Sequence, residues 1–151
     1  MNKKHIRKDV IQHLIQLKSD EIAALVQSYK IYAEGADLDE ESSLELDDFA
    51  QQSQSTDAAR NIQIRINQAT EDLNNFKALR PELIDEITEG NVVFTDKVNF
   101  VIGLSFKDFL WENNKFVGIS TQAPIFEALV GKRDGDKIEF NGISYTIEEI
   151  L

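Results

Sequence analysis

The stretch Glu34-Gly35-Ala36-Asp37-Leu38-Asp39-Glu40-Glu41-Ser42-Ser43-Leu44-Glu45-Leu46-Asp47-Asp48 decides how the chain folds. It holds no Lys or Arg, and more than half of its residues are carboxylates. A helical repeat of apolar positions flanks it on each side. Upstream, Asn2 to about Ala33 contains no Pro and no Gly. There Ile11, Leu14, Ile22, Leu25, Tyr29 and Tyr32 recur three or four apart, with Lys18 filling the one skipped place. That is a coiled-coil stripe with a single polar interruption. Gly35 is expected to end this helix, because it tolerates positive φ. Downstream, Phe49, Gln52, Thr56, Ala59, Ile62, Ile66, Ala69, Leu73 and Phe76 repeat at the same spacings, and Pro81 closes the segment. Two helices joined by a loop of about a dozen residues fold back as an antiparallel hairpin. Each arm should be on the order of 40 Å long at about 1.5 Å per residue.

Charge is unevenly placed on these arms. Lys3, Lys4, Arg7 and Lys8 make the open end basic, whereas the loop end is purely acidic. A simple structural coil has no need of that asymmetry. The small and polar members of the second stripe near the loop, Gln52 and Thr56, predict looser packing there. Over the whole chain of 151 residues the net charge is -11, which argues against a general duplex-binding protein, since affinity for nucleic acid rests on Lys and Arg neutralising phosphates. Without cysteine there is no disulfide, thiolate zinc site or cysteine nucleophile. No apolar run approaches the roughly 18 residues of a membrane span, and the basic N-terminus has no apolar core behind it. A soluble, cytoplasmic protein with no membrane partner is expected.

Gly90 marks a change of character: seven of the nine Phe residues and the single Trp follow it. Strands are predicted at Asn91–Thr95, Lys97–Gly103, Lys115–Ser120, Lys137–Phe140 and Ile143–Ile150. Asn141-Gly142 between the last two is a type I′ hairpin signal. Pro124–Val130 reads as a short helix, with Pro in its first turn and Gly131 as its stop. The expected fold class is α+β: a coiled-coil hairpin over 1–80 with its acidic tip at 34–48, a linker over 81–90, and a small domain over 91–151.

The run Ile119-Ser120-Thr121-Gln122-Ala123-Pro124-Ile125-Phe126-Glu127-Ala128-Leu129-Val130-Gly131-Lys132-Arg133-Asp134-Gly135-Asp136 resembles the C-terminal signature of the Gre transcript-cleavage factors. Gly90-Asn91-Val92-Val93-Phe94 resembles the first strand of the same domain, which is FKBP-like in fold. With the hairpin, the resemblance spans essentially the whole chain. Departures are visible: Ala123 stands where the family has Ser before the proline, and Phe126 where it has a small residue. The first helix lacks the Thr-x-x-Gly opening. At the tip, Asp37-Leu38-Asp39-Glu40 matches the start of the family motif, but Glu41 replaces its Asn and Leu44 its Tyr.

Asp37 and Glu40, three residues apart, share one side if the tip forms a helical turn. Magnesium keeps several waters and takes one or two carboxylates plus phosphate oxygens. Two carboxylates on a loop are thus an incomplete set, and a partner supplies the rest. The resemblance names that partner as bacterial RNA polymerase, with the hairpin in its secondary channel beside the RNA 3′ end and DNA met only indirectly. It implies that Asp37 and Glu40 help retain Mg²⁺ shared with the polymerase site, assisting hydrolysis of backtracked RNA as an accessory and not as an enzyme. The extra acids Asp39 and Glu41 keep open a Gre-like inhibitor that binds the channel without cleavage. By the same resemblance the C-terminal domain docks on the channel rim, with Phe126, Lys132 and Arg133 as candidate contacts; core packing and plain turn roles stand beside that reading.

Two rival readings start from other features. An FKBP-like domain suggests a prolyl isomerase, although fold does not carry activity. Ile6, Val10, Ile15 and Val26, lying off the main stripe, suggest a coiled-coil interaction protein unrelated to transcription. His5 and His13 have no metal-ligand spacing and are expected at the surface. Neither a Gly-rich phosphate loop nor a Ser elbow is present.

Overall fold

The structure is a computed structural model that describes residues 3–36, 46–80 and 86–151, with side chains over 5–35, 54–80 and 86–151. Two long helices come first, α1 (Lys3–Ala36) and α2 (Leu46–Ala78). Strands follow: β1 (Val92–Thr95), β2 (Asn99–Ile102), β3 (Phe106–Trp111) and β4 (Asn114–Ile119). Helix α3 (Pro124–Leu129) then precedes β5 (Lys137–Phe140) and β6 (Ile143–Ile150). The fold class is α+β, as expected. The chain divides into two compact units: Met1–Leu17 with Leu73–Leu151, and Lys18–Asp72.

In the Lys18–Asp72 unit α1 and α2 pair antiparallel. Tyr29 and Ala33 of α1 face Thr56, Ala59 and Arg60 of α2, and Gly35 lies against Ser55. Ala59, Ile62 and Ala69 of the second stripe are buried, while Thr56 is exposed, so the interface thins toward the acidic loop as its small and polar members predict. Lys18, the polar interruption, is only 8% exposed. Its ammonium pairs with Glu21 at 3.0 Å, one turn on. A lysine can occupy such a place because its methylene stem packs while its head reaches outward. Gly35 does not end α1: the helix continues through it to Ala36. A Cβ there would lie 2.9 Å from Ser55 Oγ, so glycine serves close helix approach and not a left-handed stop.

The other unit is built on one six-stranded sheet of order β3-β4-β2-β1-β6-β5. β2 and β4 run parallel and every other pair antiparallel. Asn141 (φ 51°) and Gly142 (φ 77°) form the expected two-residue turn between β5 and β6. β3 is an addition to the expected strands. Its register slips between Phe106 and Phe109, which breaks the period-two alternation, and its turn to β4 uses Glu112 and Asn113 at positive φ without any glycine.

All four β2 residues are buried, so both faces of the sheet centre are covered. On one face Val93, Phe100, Ile102, Ile119, Ile138 and Ile147 gather around Leu129 of α3. Aromatic rings fill a second cluster: Phe109 stacks on Phe116 at 5.6 Å, and Phe94 and Trp111 meet Phe116 edge-on. His13 of α1 lies 5.8 Å from Phe109, so it is half-buried and not the surface residue expected. Val10 is fully buried too. The first turns of α1 thus pack on more than the hairpin stripe, and Val10 is withdrawn from any self-association surface.

Candidate functional site

Asp37 and Glu40 lie in 37–45, between the last residue of α1 and the first of α2, and outside the described residues. So do Asp39 and Glu41. What the structure supplies is their framing: the helix pair remains closed as far as Gly35 and Ser55, so the chain joins α1 to α2 at that end of the pair. Beside this end, Tyr29, Ala33, Thr56, Ala59 and Ile64 line an open groove of about 470 Å³. Ile31, Tyr32 and Ile64 are exposed nearby on the same unit. Among the described residues no cluster of His, Asp and Glu could hold a metal ion, and no helix is long and apolar enough to cross a membrane.

The signature run forms α3 and the turn after it. Ala123 precedes the helix in extended conformation without a side-chain cap, and Pro124 occupies its first turn, where the missing N–H costs nothing. Phe126 is partly buried against the sheet core. Gly131, at φ 79°, turns the chain out of α3. There the Ile87 amide donates to the Lys132 carbonyl at 2.8 Å, and the Gly131 amide donates to the Ile87 carbonyl at 3.0 Å. Arg133 is exposed, and its Nη2 lies 2.9 Å from Glu86 Oε1. The Asp136 carboxylate accepts from the Arg133 amide at 2.9 Å, and the Gly135 amide donates to the Ile147 carbonyl at 2.7 Å. Leu-Val-Gly-Lys-Arg-Asp-Gly-Asp is therefore a fastener that ties Glu86–Ile87 to α3 and β6. Lys132 contributes its backbone to that tie.

A second cleft lies within the sheet-containing unit. Arg7, Lys8, Lys77 and Arg80 line a space of about 190 Å³ between the start of α1 and the end of α2. Arg7 Nε and Nη2 donate to the Gly90 carbonyl at 3.3 and 2.8 Å. Burial draws its guanidinium down from the ordinary value, and it remains a cation at neutral pH. Arg80 Nη1 donates to the Lys77 and Leu79 carbonyls at 3.1 and 2.9 Å. The basic end expected at Arg7 and Lys8 also includes Lys77 and Arg80, which the apolar repeat alone does not mark. The signal was available: Lys77 and Arg80 bracket the end of the second stripe, and an antiparallel return brings that end beside residues 7 and 8.

No protein-family model matches the chain, and no curated protein matches it. Solved structures do. The chain is similar to the GreA factor homolog 1 (Gfh1) protein of Thermus thermophilus at 17% identity, covering 93% of each chain with a TM-score of 0.35. It is similar to Thermus aquaticus Gfh1 at 20% identity, covering 93% of this chain and 92% of that one, with a TM-score of 0.33. A structure of the transcription factor Gfh1 gives 20% identity, 92% and 91% coverage, and a TM-score of 0.33. These are loose likenesses.

Proposed function

We propose that this protein is a transcription factor that enters the secondary channel of bacterial RNA polymerase and stimulates cleavage of backtracked RNA. The observation that carries the reading is the helix pair closed to Gly35 and Ser55, with a carboxylate-rich stretch free of Lys and Arg as its joint. The ordered signature run, folded as a fastener around α3, supports the same reading from the other end of the chain. Asp37 and Glu40 are the carboxylates offered to a shared Mg²⁺; both are hard oxygen donors of the kind that ion takes, and they leave most of its positions to phosphate oxygens, water and the polymerase. In a two-metal phosphodiester site, one ion would activate water and the other would steady the leaving oxygen. The chain's own part is to carry negative charge to a site it does not itself enclose.

The test adds purified protein to backtracked transcription complexes with Mg²⁺. Shortened RNA is expected, and Asp37→Asn or Glu40→Gln should abolish it while leaving polymerase binding intact. A second reading, channel binding that inhibits synthesis, is favoured by the extra acids Asp39 and Glu41 and by Leu44 in place of an aromatic. Slowed elongation without shortened RNA would select it. Failure to bind core polymerase at all would sink both.

A further inference from the structure

We propose that the cleft between the start of α1 and the end of α2 binds a small phosphate-bearing molecule, of nucleotide size or smaller. Acids outnumber bases in this chain, 27 to 16, yet four of the bases line one cleft and, among the described residues, no carboxylate does. Like charges gathered in this way repel one another, and an anion among them relieves that repulsion. Both guanidiniums are already oriented, Arg7 by the Gly90 carbonyl and Arg80 by the Lys77 and Leu79 carbonyls. Carbonyls fix direction without cancelling charge, so the remaining N–H donors are pre-set for oxygen ligands. Arg80 also covers carbonyls at the end of α2, whose partial negative charge would otherwise disfavour an anion. Lys8 and Lys77 are exposed and form no ion pair among the described residues. Glu89 stands nearby, its Cγ against Gly103 beside Phe76 and Leu79, and it pairs with none of the four cations.

The size and lining of the cleft narrow the ligand. About 190 Å³ is far more than one ordered water needs and suits a phosphate or diphosphate with a small body attached. Ile11, Ile15 and Leu79 are half-buried along it and offer an apolar surface to that body. An extended nucleic-acid strand is disfavoured, because beyond the cleft it would meet a chain of net charge -11. Arginine forks match phosphate oxygens in pairs, which lysines alone do not. This inference is independent of the channel reading.

Calorimetric titration of the full chain with ADP, pyrophosphate and adenosine at low salt tests it. ADP and pyrophosphate should bind one to one with Kd below about 1 mM, and adenosine far more weakly. The double variant Lys8→Gln/Lys77→Gln should weaken both phosphate ligands by about tenfold or more, with an unchanged circular dichroism spectrum. Lys30→Gln/Lys107→Gln, on exposed lysines elsewhere, makes the same change in net charge and should leave both affinities unaltered. Equal affinity for ADP and pyrophosphate supports a site for the phosphates alone. Tighter ADP supports one that also uses the apolar floor. Absence of binding up to about 10 mM overturns the proposal. So does equal weakening by the two double variants, and so does a single-stranded oligonucleotide that binds where ADP cannot compete.

Discussion

Gly118→Ala tests how tightly the sheet is drawn together beneath the signature run. A Cβ at residue 118 would lie 2.3 Å from the Leu104 carbonyl oxygen, 2.9 Å from the Phe106 amide nitrogen and 3.1 Å from Phe106 Cβ. Carbon and oxygen in close contact stand roughly 3.3 Å apart or more, so about 1 Å of separation is required. Backbone atoms must provide it, and they are held on both sides. Phe106 pairs with Gly118 in the β3–β4 ladder, Val101 pairs with it in the β2–β4 ladder, and the Gly103 amide donates to the Ile119 carbonyl at 2.7 Å. Overpacking costs about 1–3 kcal/mol, and a clash against backbone belongs at the upper end, about 3 kcal/mol. For a chain of this size that lowers Tm by roughly 6–12 °C. Urea unfolding followed by Trp111 fluorescence reads the right unit, because Trp111 is the only tryptophan and its ring lies 6.3 Å from Phe116 in the same strand as Gly118. Gly131→Ala is the comparison: it meets no atom within 4 Å but has φ 79°, so it should lose only about 1 kcal/mol. A Gly118→Ala protein within about 0.5 kcal/mol of wild type would refute the reasoning.

Lys18→Leu should leave the hairpin as stable as wild type or stabilise it by up to about 1 kcal/mol, since an apolar side chain replaces a lysine whose stem is packed in the stripe. It should also raise self-association, measured by sedimentation, because a polar residue in the stripe restricts pairing partners. A loss above about 1 kcal/mol would show that the ammonium holds the hairpin together. Acid stability offers a further check. The Thr146 amide donates to the Asp96 carboxylate at 2.8 Å and holds its pKa below the ordinary 3.8; a hydrogen bond from Lys115 does the same for Asp108. Carboxyls depressed in the folded state stabilise it above their unfolded value, and that contribution is lost as pH falls through the folded one. Unfolding midpoints should therefore be level at neutral pH and drop below about pH 4, more steeply for wild type than for Asp96→Asn. Parallel curves would remove Asp96 from the account.

Much of the fold was legible because burial follows periodicity. Leu14, Ile62, Ala69, Leu73 and Phe76 were expected inside and are. β5 and β6 have the expected bounds because Asn-Gly at the turn leaves little choice of register. Illegible features come from contacts distant in sequence. β3 escaped notice because a bulge spoils its alternation, and Glu112-Asn113 carries positive φ without glycine. Gly35 resembled a stop because its spelling does not tell a left-handed turn from a close neighbour such as Ser55. Val10 resembled a spare apolar residue because most of the compact unit in which it is buried, Leu73–Leu151, begins more than sixty positions later. Of the candidate site, Asp37 and Glu40 stand outside the described residues, whereas Lys132 and Arg133 turn out to shape a turn.

That turn has a bearing on how such proteins can diversify. Gly131 and Lys132 grip Ile87 through main-chain atoms, so the spelling there answers to geometry, whereas the acids at 37–45 belong to a different stretch and a different compact unit. Exchanging 37–45 for another sequence should leave the grip untouched, giving a chassis on which one implement can be traded for another.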